Sequence, residues 1–154
     1  MNRPTILVVE DHEAVRDAAR AALAEAFPKA RVIEAKDGSE AVAQTERFRP
    51  GIVVMDRHMP CMDGVEATRR IKRAFPETKV IFFSLSDHAR DRRAAREAGA
   101  DGYVGKGDGP EKLVQTVQKL LDGIRCDERD GFSSLAIDAI TTASRAKRRT
   151  VKEN

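Results

Sequence analysis

Gly51-Ile52-Val53-Val54-Met55-Asp56 carries four unbroken apolar residues into an acid, and Arg57-His58-Met59-Pro60 follows. An apolar run without alternation is the pattern of a strand covered on both faces, which belongs in a parallel sheet. Thr5-Ile6-Leu7-Val8-Val9 repeats the pattern and ends on Glu10-Asp11; Val80-Ile81-Phe82-Phe83 repeats it and ends on Ser84. A shorter run, Gly102-Tyr103-Val104-Gly105, ends on Lys106.

Between these runs lie segments of helical spacing. His12–Phe27 places Val15, Ala18, Ala19, Ala22, Leu23 and Ala26 on one face and stops at Pro28. Arg31–Ala35 reads as a further strand and Ser39–Phe48 as a helix. Gly64–Phe75 reads as the third helix, closed by Pro76, and Lys79–Leu85 as the fourth strand. Asp87 is a suitable N-cap for a helix to Ala98, with Gly99 at its C′ position. Tyr103-Val104 is the fifth strand. Pro110 opens a fifth helix, Glu111–Leu121, with Leu113, Val114, Val117, Leu120 and Leu121 expected inward. Strict alternation of strand and helix implies an α/β fold with helices on both faces of a parallel sheet. The right-handed crossover rule makes a flavodoxin-like, doubly wound (βα)5 arrangement with strand order 2-1-3-4-5 the leading topology.

The 154 residues suffice for one such domain, expected over 4–123, plus a short extension over 124–154. Hydrophobic residues at 41% and charged residues at 34% fit a water-exposed globular surface. The net charge is +3, with basic clusters at Arg90–Arg96 and Arg145–Lys152. The first is expected to be a solvated helix face. The extension carries one weak apolar face, Phe132, Leu135, Ile137 and Ile140, and is expected to be partly helical or disordered. It is too short for a second core. No apolar run approaches a signal or membrane-spanning length, so cytoplasmic residence is expected. Cys61 and Cys126 have no metal-ligand spacing; Cys61 is expected to be a partly buried, inert thiol.

In such a sheet, ligands bind at the C-terminal strand ends. Adjacent first and third strands would bring Asp11 and Asp56 together, and two close carboxylates repel unless a cation lies between them. Hard oxygen ligands suit Mg²⁺, with Glu10 adding charge through a metal-bound water. Lys106 would reach in from the fifth strand. A carboxylate flanked by a cation and an ammonium can accept a phosphoryl group, because both neutralise oxygens charged in the transfer. The Ser84 hydroxyl could bond to a phosphoryl oxygen.

This ordered set resembles the receiver domain of bacterial two-component response regulators, the CheY-like superfamily. The resemblance covers about Thr5–Gly123. It rests on Glu10-Asp11, on Asp56 followed by Met59-Pro60, on Met62-Asp63-Gly64, on Ser84, and on the segment Gly99–Lys106. It implies that Asp56 accepts a phosphoryl group from a histidine kinase or phosphotransfer protein. It implies that Glu10, Asp11, Asp56 and the backbone carbonyl of His58 hold Mg²⁺. Ser84 would move toward the phosphoryl group, Tyr103 would swing inward into the space it leaves, and Lys106 would pair with phosphoryl oxygens. The surface changed by this switch would be the fourth helix, fifth strand and fifth helix, through which a homodimer or a downstream protein partner could be bound.

Two residues depart from the family pattern. Leu85 stands where a small residue is usual and is expected to narrow access to the phosphoryl group. Arg57 stands where an apolar residue is usual and is expected to point to solvent. His58 and Ser86 occupy the positions that in this family tune hydrolysis of the acyl phosphate.

The resulting expectation is a phosphorelay signalling module, a phosphoprotein that assists its own phosphotransfer and is not a turnover enzyme. A stand-alone receiver is expected, because about thirty residues after the fifth helix cannot form a helix-turn-helix domain; a shortened relative of a transcription factor is the other form this could take. Specific DNA binding is not expected, since the basic end lacks a recognition helix. One rival is a Mg²⁺-dependent phosphohydrolase with Asp56 as nucleophile, which usually needs a second acid where His58 stands. Another is a receiver-like module that works without phosphorylation.

Overall fold

The computed structural model describes residues 3–123. The expected extension, 124–154, with Cys126 and the basic end, lies outside the described residues. The elements run β1 (Thr5–Val9), α1 (Glu13–Ala26), β2 (Arg31–Ala35), α2 (Gly38–Phe48), β3 (Ile52–Met55), α3 (Gly64–Ala74), β4 (Lys79–Ser84), α4 (Ala89–Glu97), β5 (Gly102–Gly105) and α5 (Pro110–Leu121). The five strands are parallel in the order β2-β1-β3-β4-β5, as the apolar runs and the crossover rule led us to expect.

Alternate residues of each strand serve opposite faces of the sheet. Leu7, Val9, Val53, Met55, Val80, Phe82 and Tyr103 pack with Ala41 of α2, Val65, Ala67 and Ile71 of α3, and Ala95 of α4. Ile6, Val8, Ile52, Val54, Ile81 and Val104 pack with Ala19 and Leu23 of α1 and with Leu113 and Val117 of α5. Both faces are covered, so neither could tolerate the polar alternation of a one-sided sheet.

Caps fix where the helices begin. Asp37 accepts the Glu40 N–H at 2.7 Å and Asp63 accepts the Glu66 N–H at 2.9 Å, each starting a helix at the glycine that follows it. Asp87 does not cap α4: His88 holds the N-cap position, while the Asp87 carboxylate accepts from Arg92 Nε at 2.6 Å. A guanidinium within reach outcompetes a backbone N–H for that carboxylate. Gly99 does follow the end of α4 with φ +101°, a conformation that favours glycine.

Ala18, Ala26 and Leu121 do not face inward. All three are exposed, because the apolar stripes of α1 and α5 are narrower than a count of apolar residues suggests. Alanine is also a good helix former on a solvent face, so its presence there needs no burial.

Candidate functional site

Two backbone hydrogen bonds bring the acids together. The Glu10 N–H donates to Ala35 O at 3.0 Å, and the Asp56 N–H donates to Val9 O at 3.0 Å. Each continues the sheet one residue beyond its strand and holds the next side chain at the rim. Glu10 and Asp56 are buried there, with their carboxyl groups close enough to perturb each other. Lys106 Nζ, from the end of β5, lies 3.0 Å from Glu10 Oε2 and 3.4 Å from Asp56 Oδ1. Thus Glu10, Asp56 and Lys106 meet as the sequence pattern led us to expect. Lys106 contacts both acids, and Glu10 is a buried partner of the ammonium as well as a source of negative charge.

Burial, then the neighbouring Glu10 carboxyl, push the Asp56 carboxyl up to about 7; Lys106 acts in the opposite direction. Two acids face one ammonium, so one positive charge is missing. Asp11, on the rim beside them, has Oδ1 buried without a hydrogen bond, with His12 Nδ1 3.3 Å away. A buried Asp11 oxygen without a hydrogen bond, beside further acids, is what a divalent cation would satisfy. Among the described residues the ligand atoms of Glu10, Asp11 and His12 lie within 4.8 Å of one another. The two carboxylates supply the hard oxygens that suit Mg²⁺.

His12 holds the N-cap position of α1. It is exposed, yet its Nδ1 lies 3.2 Å from Glu10 Oε1 and 3.3 Å from Asp11 Oδ1. Its place directly after the acidic pair was the available signal, and the lack of a second histidine at ligand spacing obscured it. His58 is exposed.

Ser84 ends β4, one strand over from Asp56, and its Oγ accepts the Ser86 N–H at 3.3 Å. Tyr103 is buried, with its ring stacked on Phe82 at 6.0 Å between centroids and its hydroxyl donating to the Ser86 carbonyl. The Tyr103 side chain is inward in this structure. Burial pushes the Tyr103 hydroxyl up, and its contact with the Ser84 hydroxyl acts against that.

Arg57 does not point to solvent. Its Nε lies 3.0 Å from Asp91 Oδ1 in α4, with the two side chains 17% and 7% exposed. A guanidinium facing a buried carboxylate compensates a charge that would otherwise be left unpaired away from water. The other oxygen of Asp91 accepts the Ser86 hydroxyl. That hydroxyl and then Arg57 hold the Asp91 carboxyl below its usual value against burial, which acts to raise it.

Leu85 does not close the site: it is 82% exposed. It is the first residue past β4, where the alternation that would have turned it inward has ended. Cys61 is exposed rather than partly buried, in a loop turn with φ 69°. Of the expected solvated face on α4, Arg90 and Arg93 are exposed, whereas Arg92 lies 4.8 Å from the centre of the Tyr103 ring.

Comparison with known proteins agrees with this geometry. Residues 6–118 match the response regulator receiver domain model. The chain is 36% identical over 118 residues to the transcriptional activator protein ExaE of Pseudomonas putida, covering 77% of this chain and 55% of that protein. It is 33% identical over 120 residues to the response regulator GacA of Pseudomonas protegens, covering 78% of this chain and 56% of that one. The chain thus spans about half the length of the curated relatives it matches. Among solved structures, a LuxR-family two-component response regulator from Aurantimonas sp. superposes with a TM-score of 0.76 at 35% identity, covering 90% of this chain and 99% of that one. The chemotaxis protein CheY4 of Vibrio cholerae superposes with a TM-score of 0.71 at 25% identity, covering 77% and 98%. Among the described residues no helix is long and apolar enough to cross a membrane. With its acids, lysine and hydroxyl at the carboxyl ends of a 2-1-3-4-5 sheet, this chain belongs to the response regulator receiver domain family of two-component systems.

Proposed function

We propose that Asp56 is the phosphoryl acceptor of this receiver, that Glu10, Asp11 and Asp56, with the His58 carbonyl, hold Mg²⁺, and that the phosphoryl group arrives from a histidine kinase or phosphotransfer protein. The observation that carries this is the buried Glu10–Asp56 pair facing Lys106. An Asp56 carboxylate oxygen bonds to phosphorus as the phosphorus–nitrogen bond to the donor histidine breaks, giving an acyl phosphate. Mg²⁺, when bound, supplies positive charge to the oxygens of the transferring group. Lys106 supplies charge from the other flank, and the burial of Asp56 keeps bulk water from competing. Incubation with acetyl phosphate and Mg²⁺ tests this: intact mass should rise by one phosphoryl group, and EDTA should prevent the rise. A folded protein that binds Mg²⁺ and takes up no phosphoryl group would refute the proposal.

The cation competes with a proton for Asp56. Because that carboxyl is raised to about 7, it is largely protonated below that pH and ionised above it. Mg²⁺ affinity should therefore weaken by up to about tenfold per pH unit below 7 and level off above about 8. Calorimetric titration between those limits checks the sign; an affinity independent of pH would place the cation away from Asp56.

Lys106→Met should leave Mg²⁺ affinity intact or improved, since a competing cation is gone, while slowing phosphoryl uptake by about 10²-fold or more. Equal loss of both would mean that the variant has disturbed the acid pair rather than the transfer.

We propose further that Ser84 and Tyr103 report the phosphoryl group to the face formed by α4, β5 and α5, which binds a downstream protein or a second copy of the chain. Exposed Arg90 and Arg93 on α4 support that face as a contact surface. The names of relatives such as ExaE describe those proteins only.

A further inference from the structure

Arg57 directly follows the acceptor, and its charge is spent on α4. From Asp91 a chain of contacts continues: Asp91 Oδ2 accepts the Ser86 hydroxyl, and the Ser86 carbonyl accepts the Tyr103 hydroxyl. Arg92, the next residue of α4, covers the Tyr103 ring and pairs with Asp87 of the same loop. The segment between β4 and α4 is thereby tied at one end to the acceptor strand and at the other to the tyrosine.

We infer that the Arg57–Asp91 ion pair is a latch that holds the β4–α4 loop where the Ser86 carbonyl meets the Tyr103 hydroxyl, so that Tyr103 is inward before any phosphoryl group arrives. The inference rests on Tyr103 being the switch residue proposed above. Asp91 is 5% exposed, and a carboxylate at that depth is stable only with its partners in place. Arg57 Nε faces one Asp91 oxygen as an ion pair at 3.0 Å, and the Ser86 hydroxyl donates to the other. With Arg57 removed, the loop and the start of α4 gain freedom to move toward water, and the Ser86 carbonyl moves away from the Tyr103 hydroxyl. The inward state then loses one of the contacts that favour it. Arg57 and Asp91 are positioning residues: neither needs to touch the phosphoryl group, and the pair biases a two-state element.

The chain holds one tyrosine and no tryptophan, so 3-fluorotyrosine labels Tyr103 alone. Fluorine NMR on the full, unphosphorylated chain should show one dominant resonance protected from a soluble nitroxide. In Arg57→Met and in Asp91→Asn a second, nitroxide-broadened resonance should grow, with the inward-to-outward ratio falling about tenfold or more. Arg57→Lys should largely restore the first resonance. Ser86→Ala, which removes only the hydroxyl, should shift the ratio in the same direction by less, and it serves if the charged variants do not fold. A purely structural ion pair would lower the urea midpoint and leave the resonance of the folded protein unchanged. That result, or a wild-type resonance already open to the nitroxide, would overturn the latch. Phosphoryl uptake on Asp56 is read separately by mass, so failure of the latch leaves it standing and failure of uptake leaves the latch readable.

Discussion

Asp56→Asn should take up no phosphoryl group from acetyl phosphate and should melt higher than the wild type when both are free of metal at pH 8. The first effect is a total loss, because an amide oxygen cannot act as the carboxylate nucleophile. The second runs against the usual cost of a buried substitution, and it follows from the geometry. Asp56 sits buried against Glu10 with only Lys106 to share, and its carboxyl is raised to about 7. The folded state therefore holds a proton that the unfolded chain has released above about 4. Stability of the metal-free protein falls as pH rises through that window, since the folded state binds more protons there. An amide removes the repelling charge and can donate a hydrogen bond to Glu10. The gain should be about 1–3 kcal/mol at pH 8, a rise of roughly 4–12 °C in Tm for a domain of this size. It should vanish below about pH 3, where the wild-type acid is protonated in both states. Adding Mg²⁺ should raise the wild-type Tm and narrow the gap. An Asp56→Asn variant that melts lower than wild type at pH 8 would show that the acid pair is not under electrostatic stress.

Gly64→Ala should destabilise the fold by about 2–4 kcal/mol and weaken Mg²⁺ binding with it. Gly64 opens α3 directly beneath the acceptor. A Cβ placed there would lie 2.1 Å from the Asp56 carbonyl oxygen and 3.1 Å from Arg57 Cα. Neither neighbour is the free end of a flexible side chain: both belong to the backbone of Asp56 and Arg57. The Gly64 N–H also donates to Arg57 O at 2.9 Å, so α3 cannot retreat without giving up that bond. Relief must come from moving the Asp56 peptide, and the carboxylate moves with it. Gly51→Ala is the matched control, because nothing lies within 4 Å of its Cβ. It should change stability by no more than about 0.5 kcal/mol and leave Mg²⁺ affinity alone. Urea melts and calorimetry on both variants separate the close approach from a general effect of replacing glycine. Equal behaviour of the two would mean that the β3–α3 junction relaxes freely.

The fold was legible because its signals are local. Runs such as Ile52–Met55 and Ile6–Val9 admit no polar face, and Pro28, Pro76 and Gly99 punctuate the helices between them. The acids, Ser84 and Lys106 were legible for a related reason: once a run is a strand of this sheet, the residue at its end has one place to be. Hydrogen bonds such as Asp56 N–H to Val9 O carry that local fact into three dimensions.

What no local pattern contains is the partner of a side chain that crosses between elements. Arg57 read as a solvent residue because nothing near it in sequence could receive its charge; Asp91 reaches it only through the packing of α4 against the sheet. Leu85 read as an obstruction because its identity was plain and its direction was not. Tyr103 read as a residue waiting to move, while the Ser86 carbonyl that accepts its hydroxyl lies in a loop seventeen residues earlier in the chain. Strand content and rim chemistry follow from periodicity and chain direction, which every short segment carries. The direction of a long side chain depends on the competition between water and a buried counter-charge, and only the assembled tertiary structure brings that counter-charge within reach.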